Sequence, residues 1–414
     1  MLEPRDLKVS DSEVESVLTQ INDDEDRVDA FASMAWSIVC EPGDGTAGLL
    51  VKTFGAAEAL KLELDQVAPS RIVDKLMEQN AIDPSKSNYW QERVNDGRER
   101  WKPRLNFASV LTAANTLRYL NGTLLTNQSR LWPKQINDLA EDDKSFQPHA
   151  LWVRGKVSSL PLTGRSLGVV GSRTATSYGE FVTPDLIAGP VSRNYSVISG
   201  GAYGIDSIAH RATLALDGVT FSVMAGGIDE FYPSANNQLF DQIMQNGAMI
   251  SEVAPGSAPT KWRFLQRNRL IAALSNAVLL VEAGHRSGAQ NTATHAHNLN
   301  RPIGVVPGPI TSPASAGCHK LIREGVAQLI TDSTDLFDLL GEPIEWQSVA
   351  QLTGLGPLEI RTLDAIGFGN LDVDKICRSA GLTQKEVRIA LSSLELDKLV
   401  VRTNTGWSRS QTTV

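Results

Sequence analysis

From Ser166 onward the chain repeats one unit: a short apolar run, a glycine-bearing turn and a longer helical segment. The runs are SLGVVGS, YSVIS, VTFSVMA, AMISE, AVLLVEA and PIGVVPG. Strands that alternate with helices in this way pair in parallel through right-handed crossovers, so both sheet faces are covered. The class is α/β, doubly wound, and ligands of such sheets bind where the strands end at their carboxyl side. Those ends are where the unusual residues of this sequence collect.

At 414 residues the chain is long enough for two or three domains, each with its own core. Before the repeats, apolar positions at helical spacing (Val28, Phe31, Met34, Ala35, then Leu49, Leu50 and Phe54) predict a small helical domain over 1–130, with EPGDGTAG as a turn between two of its helices. Polar residues over 131–150 read as a linker to the α/β domain at 151–340. After a break near GEPIEW, TGLGPLEIRTLDAI, DVDKICRSA and TQKEVRIALSSLELDKL read as three helices, the last with a Thr383 and Glu386 capping box. VVRTNTGWSRS then folds as a hairpin turned at Asn404-Thr405-Gly406. Residues 347–414 therefore resemble a winged helix, although a bundle that only packs on a partner fits the mixed charge of its third helix equally well.

The net charge of -8 argues against a polyanion partner only if it is spread evenly. Residues 151–330 hold 14 Lys and Arg against 10 Asp and Glu, a local +4, while the segments before and after are acidic. The local field is what attracts phosphates, and Lys261, Arg263, Arg267 and Arg269 are clustered. Cys40, Cys318 and Cys377 lie far apart in no metal or disulfide spacing, which fits a reducing cytoplasm. The polar first residues and the short, interrupted apolar runs give no expectation of a membrane segment.

GVVGSRTATSYG places Gly171, Ser172, Arg173 and Thr174 directly after the first run. Main-chain N–H groups and a helix N-terminus there make an anion site, Gly171 admits a phosphate and Arg173 can fork onto it; an ordinary tight turn is the alternative. The second run ends in Ser199, Gly200 and Gly201, where a dinucleotide-binding domain would carry a carboxylate for the ribose. Asp206 and His210 follow at i, i+4; a capping Asp and a His packed at the rim outweigh a metal or acid/base pair. TKWRFLQRNRLIAAL puts Phe264 between Lys261 and Arg267, followed by Asn268 and Arg269. Such interleaving suits single strands, with a base on Phe264 and phosphates on the cations; the alternative has Phe264 in the core and the arginines in buried ion pairs. Ser287, Gly288 and Thr292 begin another helix at the same edge, and Gly308 follows the last long run, so four strand ends offer donors to one crevice. GxSxG, GxxxxGK[ST] and paired histidines at ligand spacing are missing from the sequence.

Together GSRxxTxYG, SGGAxGID, GGIDxxYPxxN, RNR and SGxxxTA resemble, in order, the motifs of the DNA-processing protein A family (DprA, also called Smf). The resemblance implies an extended Rossmann-like parallel sheet core with helical N-terminal and winged-helix-like C-terminal domains. It implies a homodimer that binds single-stranded DNA, protects incoming strands and loads RecA recombinase during natural transformation. It carries no catalytic residue, metal or cofactor. By motif the DNA pocket falls on Gly171, Ser172 and Arg173, on Lys261 and Phe264, and on Asn268 beside its arginines; Leu265 stands where the family has Pro. The main rival is a nucleotide-binding or phosphoribohydrolase-type protein on a related fold. EAGHRSGAQNTA has neither the paired glycines nor the catalytic Glu of that chemistry.

Overall fold

The computed structural model describes residues 27–139, 146–160, 165–285, 287–342, 355–366, 370–403 and 405–410. The chain divides into two compact units, Met1–Glu342 and Pro343–Val414.

Among the described residues the first unit opens with six α-helices: α1 (Arg27–Val39), α2 (Gly45–Phe54), α3 (Ala56–Leu64), α4 (Pro69–Glu78), α5 (Ser87–Trp101) and α6 (Phe107–Tyr119). The EPGD turn joins α1 to α2 as the sequence predicts, and Asp44 caps α2 by accepting from the N–H groups of Thr46 and Ala47. These helices do not form a separate core. Trp36, Leu50 and Leu60 share one apolar cluster with Trp152, Phe240 and Met249 of the sheet region, and Trp152 donates through Nε1 to Ser37 Oγ at 3.2 Å. The stretch read as a linker is also packed where it is described: Trp132, Ile136, Leu139 and Phe146 are buried. Four large apolar side chains set among polar ones escape a composition count but still find a core.

The sheet has nine strands, in the order β1-β2-β6-β5-β4-β3-β7-β8-β9. They are β1 (Thr123–Leu125), β2 (Leu151–Gly155), β3 (Ser166–Gly171), β4 (Ser196–Ser199), β5 (Thr220–Met224), β6 (Ala248–Ser251), β7 (Ala277–Val281), β8 (Ile303–Val305) and β9 (Gln328–Leu329). From β6 to β9 every pair is parallel. At the β6 edge, β2 and β1 add antiparallel. Crossovers run through α7 (Ser177–Ser192), α8 (Ile205–Ala215), α9 (Asn237–Asn246), α10 (Lys261–Leu274) and α11 (Gly288–Asn298), with α12 (Ala316–Arg323) and α13 (Ser333–Leu339) after β8. Side-chain alternation sorts the two faces. Leu167 and Val169 of β3 pack with Leu186, Ile205 and Leu336 on one side, and Val170 packs with Leu270, Leu274 and Ala293 on the other. The chain winds outward from β3 through β4, β5 and β6, then returns to lay β7 on the other side of β3. The strand order therefore reverses between β3 and β7, where a crevice must open.

The second unit holds α14 (Pro357–Ile366), α15 (Val373–Ala380) and α16 (Gln384–Leu396), with β10 (Asn370–Leu371), β11 (Val400–Thr403) and β12 (Gly406–Arg409) in the order β10-β12-β11. The capping box is formed: Thr383 Oγ1 accepts from the N–H of Glu386, whose carboxylate accepts from the N–H of Thr383. Ile366, Ile376, Val387, Leu391 and Val400 make the core. This is a winged helix; β10 is the strand not expected from sequence. Part of GEPIEW, the first residues of TGLGPLEIRTLDAI and Asn404 of the hairpin turn lie outside the described residues. Among the described residues no helix is long and apolar enough to cross a membrane.

Candidate functional site

A crevice of about 710 Å³ opens at the point where the strand order reverses. β3 and β7 are in register there, Gly171 opposite Val281, so the turns that leave them flank one space. Gly171, Ser172 and Arg173 come from the first turn, Gly284, Ser287 and Gly288 from the second, and Thr292 from the first turns of α11. Lys261, Phe264, Leu265, Arg267, Asn268 and Ile271 project from α10. Spacings of three and four put most of these on one side of that helix. Thr260 starts it, its Oγ1 accepting from the Arg263 N–H at 3.2 Å.

Within the crevice the groups differ in freedom. Arg173 is exposed, and its guanidinium stands over the Phe264 ring at 5.1 Å. Lys261 is exposed as well. Phe264 is half-buried, with Tyr232 edge-on to it at 5.7 Å; it is part wall and part core, between the two accounts that the sequence left open. Arg267 is buried, and its Nη1 donates to the carbonyls of Gly200 (2.7 Å) and Val223 (2.5 Å), tying α10 to the ends of β4 and β5. Burial holds its pKa down at about 10, with Asp206 opposing the shift, so it is a cation at neutral pH. Asn268 donates through Nδ2 to Gly288 O and Asn291 Oδ1, fixing the start of α11.

Several sequence-singled residues have other work. Arg269 is fully buried and donates to Glu252 at 2.5 and 2.7 Å, outside the crevice lining; spacing alone cannot tell it from Arg267. Ser199 Oγ donates to Val169 O inside the sheet. Gly200 and Gly201 are required by packing, since a Cβ would come within 2.2 Å of the Arg267 guanidinium at one and 2.5 Å of Phe240 at the other. Gly171 itself has its α-face against Val281 O, 1.9 Å from a would-be Cβ, so the close approach of two strands already requires glycine there. Thr174 N–H donates to Ser172 Oγ at 3.2 Å and shapes the turn. Gly308 packs on Ser315 and accepts from His319 Nε2, away from the crevice lining. Of the strand ends that the sequence brought together, the one after β8 is not in the lining.

Asp206 lies in the crevice wall, buried, and accepts from the N–H groups of Gly200 (3.1 Å) and Ala202 (3.4 Å). Burial raises its pKa and the Arg267 cation pulls it back. It caps the glycine loop. His210 is wholly buried with Nδ1 2.7 Å from Thr220 Oγ1, so the i, i+4 pair is structural. Sequence reasoning missed two residues. Tyr232, in the GGIDEFYP stretch, is half exposed on the crevice wall; an aromatic before Pro in a turn was the available signal. Glu282, after β7, accepts from the N–H and hydroxyl of Thr176 and so anchors the start of α7.

Residues 123–341 match the family model described as DNA recombination-mediator protein A, and residues 347–404 match the DprA winged helix domain. The chain belongs to the DprA/Smf family. A DprA relative from Mycobacterium tuberculosis is 44% identical over 255 residues, 60% of this chain and 65% of its own length, so the match spans a little under two thirds of that protein. The Smf protein of Escherichia coli is 32% identical over 299 residues, 70% of this chain and 78% of its own. Among solved structures, DNA processing protein A from Streptococcus pneumoniae superposes with a TM-score of 0.55 at 26% identity, covering 74% of this chain and 95% of its own. The family thus carries DNA-processing names.

Proposed function

We propose that the β3/β7 crevice binds single-stranded DNA with little sequence preference, and that the chain protects such strands and hands them to a RecA-type recombinase in the cytoplasm, as in natural transformation. The observation that carries this reading is the exposed Arg173 guanidinium over the half-buried Phe264 ring, with the exposed Lys261 lining the same crevice. An aromatic flanked by cations takes the stacked base and phosphates of a single strand, whereas duplex DNA hides its base faces. The phosphoribohydrolase alternative needs a free carboxylate at the ribose, and Asp206, the carboxylate in the lining, is engaged by main-chain N–H groups. We read the protein as a non-enzymatic mediator that works as a homodimer. Titration of labelled poly-dT against the same length of duplex, across a salt series, tests the binding step. The expected result is preference for the single strand and a logarithmic salt slope of about 0.7 per phosphate neutralised. Equal binding of duplex, or a flat salt response, would remove the reading. Assembly of RecA filaments on coated single strands, with and without the protein, tests the handover.

A further inference from the structure

Helix α10 faces the crevice with one side only. Half a turn away from Lys261, Phe264 and Asn268 lie Arg263, Gln266 and Arg269, and these meet the EPGD turn between α1 and α2. The Glu41 carboxylate accepts from Arg263 through two bonds, Nε at 3.0 Å and Nη2 at 2.9 Å. Arg104 Nη2 lies 2.6 Å from the same carboxylate. Arg263 also donates through Nη1 to Ala258 O at 2.8 Å, so one guanidinium ties the EPGD turn to the loop that leads into α10. Two residues after Glu41, the N–H of Gly43 donates to Glu252, the partner of Arg269. Gly43 has φ +79, and a Cβ there would stand 2.6 Å from Gln266 Oε1. The Glu41–Arg263 tie therefore holds the outer face of the first turn of α10, the turn that presents Lys261 and Phe264, while the Gly43 approach and the Arg269 pair anchor the turns after it.

We propose that the EPGD turn is a positioning device for the crevice: Glu41, through Arg263, fixes where the first turn of α10 presents Lys261 and Phe264 to a bound strand. This rests on the crevice being the single-strand site. A partly exposed ion pair is worth little as stability, but a binding group displaced by a fraction of an ångström loses its contact. The role should thus register in affinity more than in melting.

The test is a double-mutant cycle on poly-dT affinity with Glu41→Gln, Lys261→Ala and both together, each checked by thermal melt. Glu41→Gln is expected to weaken binding about tenfold, the worth of one misplaced charge-assisted contact, and to add little once Lys261 is gone. Additive losses, or normal affinity in folded Glu41→Gln, would overturn the proposal. Should that variant fail to fold, Arg263→Gln breaks the same pair from the other side and takes its place. Failure of both to fold would make the turn a folding element and overturn it too. If wild-type protein does not hold poly-dT, the crevice reading fails and this inference with it; wild-type binding with an additive cycle sinks the inference alone.

Discussion

The cations in and around α10 are of one kind and are put to opposite uses. On the crevice side, Lys261 and Arg173 are exposed around Phe264. By contrast Arg269, on the far side of the helix, is fully buried against Glu252, and Arg267, although it reaches the crevice lining, spends its guanidinium on two carbonyls. A count of cations treats all four alike. Their hydrogen-bond partners do not, and the difference separates residues that can meet a ligand from residues that make the wall the ligand meets.

Removing Arg269 should break the buried side most heavily. Arg269→Ala leaves the Glu252 carboxylate buried and unpaired, for a loss of about 3 to 5 kcal/mol of stability. Urea unfolding measures it. At a temperature where the variant is still folded, its affinity for poly-dT should match wild type within about twofold, because the side chain lies outside the crevice lining and about two turns beyond Lys261, whose own turn is held by Glu41 and Arg263. A specific loss of binding at full stability would erase the distinction between the two uses.

The crevice side should show the reverse pattern. Arg173→Ala and Lys261→Ala are each expected to cost about 1.5 to 3 kcal/mol of single-strand affinity, the worth of a charge-assisted hydrogen bond to phosphate, with little change in melting temperature. Phe264→Ala sharpens the contrast because the ring is part wall and part core. Stacking predicts a loss of about 1 to 3 kcal/mol in affinity, nearly equal on poly-dT and mixed sequence. Its half-buried state predicts a stability loss below the roughly 3 to 5 kcal/mol of a fully buried Phe. A defect confined to one base would point to hydrogen-bond readout instead.

Much of this arrangement was legible before the structure. The six strand runs, the capping box at Thr383 and the placing of Phe264 between Lys261 and Arg267 all follow from spacings of a few residues, and local patterns survive folding. What was not legible depends on distant partners. Glu41 and Arg263 are 222 positions apart, and nothing near either one announces the other. β2 joins the sheet antiparallel because of register with β6, which a short run such as LWVRG does not reveal. Gly171 looked like a phosphate glycine because the sequence shows that a Cβ is missing but not which neighbour requires it; the neighbour is Val281 O.

Acid should probe the buried wall and leave the crevice face alone. His210 is sealed beneath the sheet, its Nδ1 against Thr220 Oγ1. Burial, helped by the Arg267 cation, holds its pKa down from 6.5 to about 3. In the unfolded chain the imidazole protonates near its ordinary value, whereas in the folded protein it stays neutral until far lower pH. Stability from this group is therefore complete above about pH 6.5 and is lost as pH falls from there toward 3, by at most about 1.4 kcal/mol per pH unit. Between pH 7 and 5.5 the expected loss from His210 is about 1 kcal/mol. It is read as the difference between wild type and His210→Gln, which keeps a polar partner for Thr220 but cannot gain the charge. His149 and His295, held down to about 4, add to the wild-type slope and are common to both proteins. No histidine lines the crevice among the described residues, so affinity per folded molecule should stay within about twofold over the same range. A slope unchanged by His210→Gln would mean that the site already takes up a proton in the folded state, and that the buried wall tolerates a second cation beside Arg267.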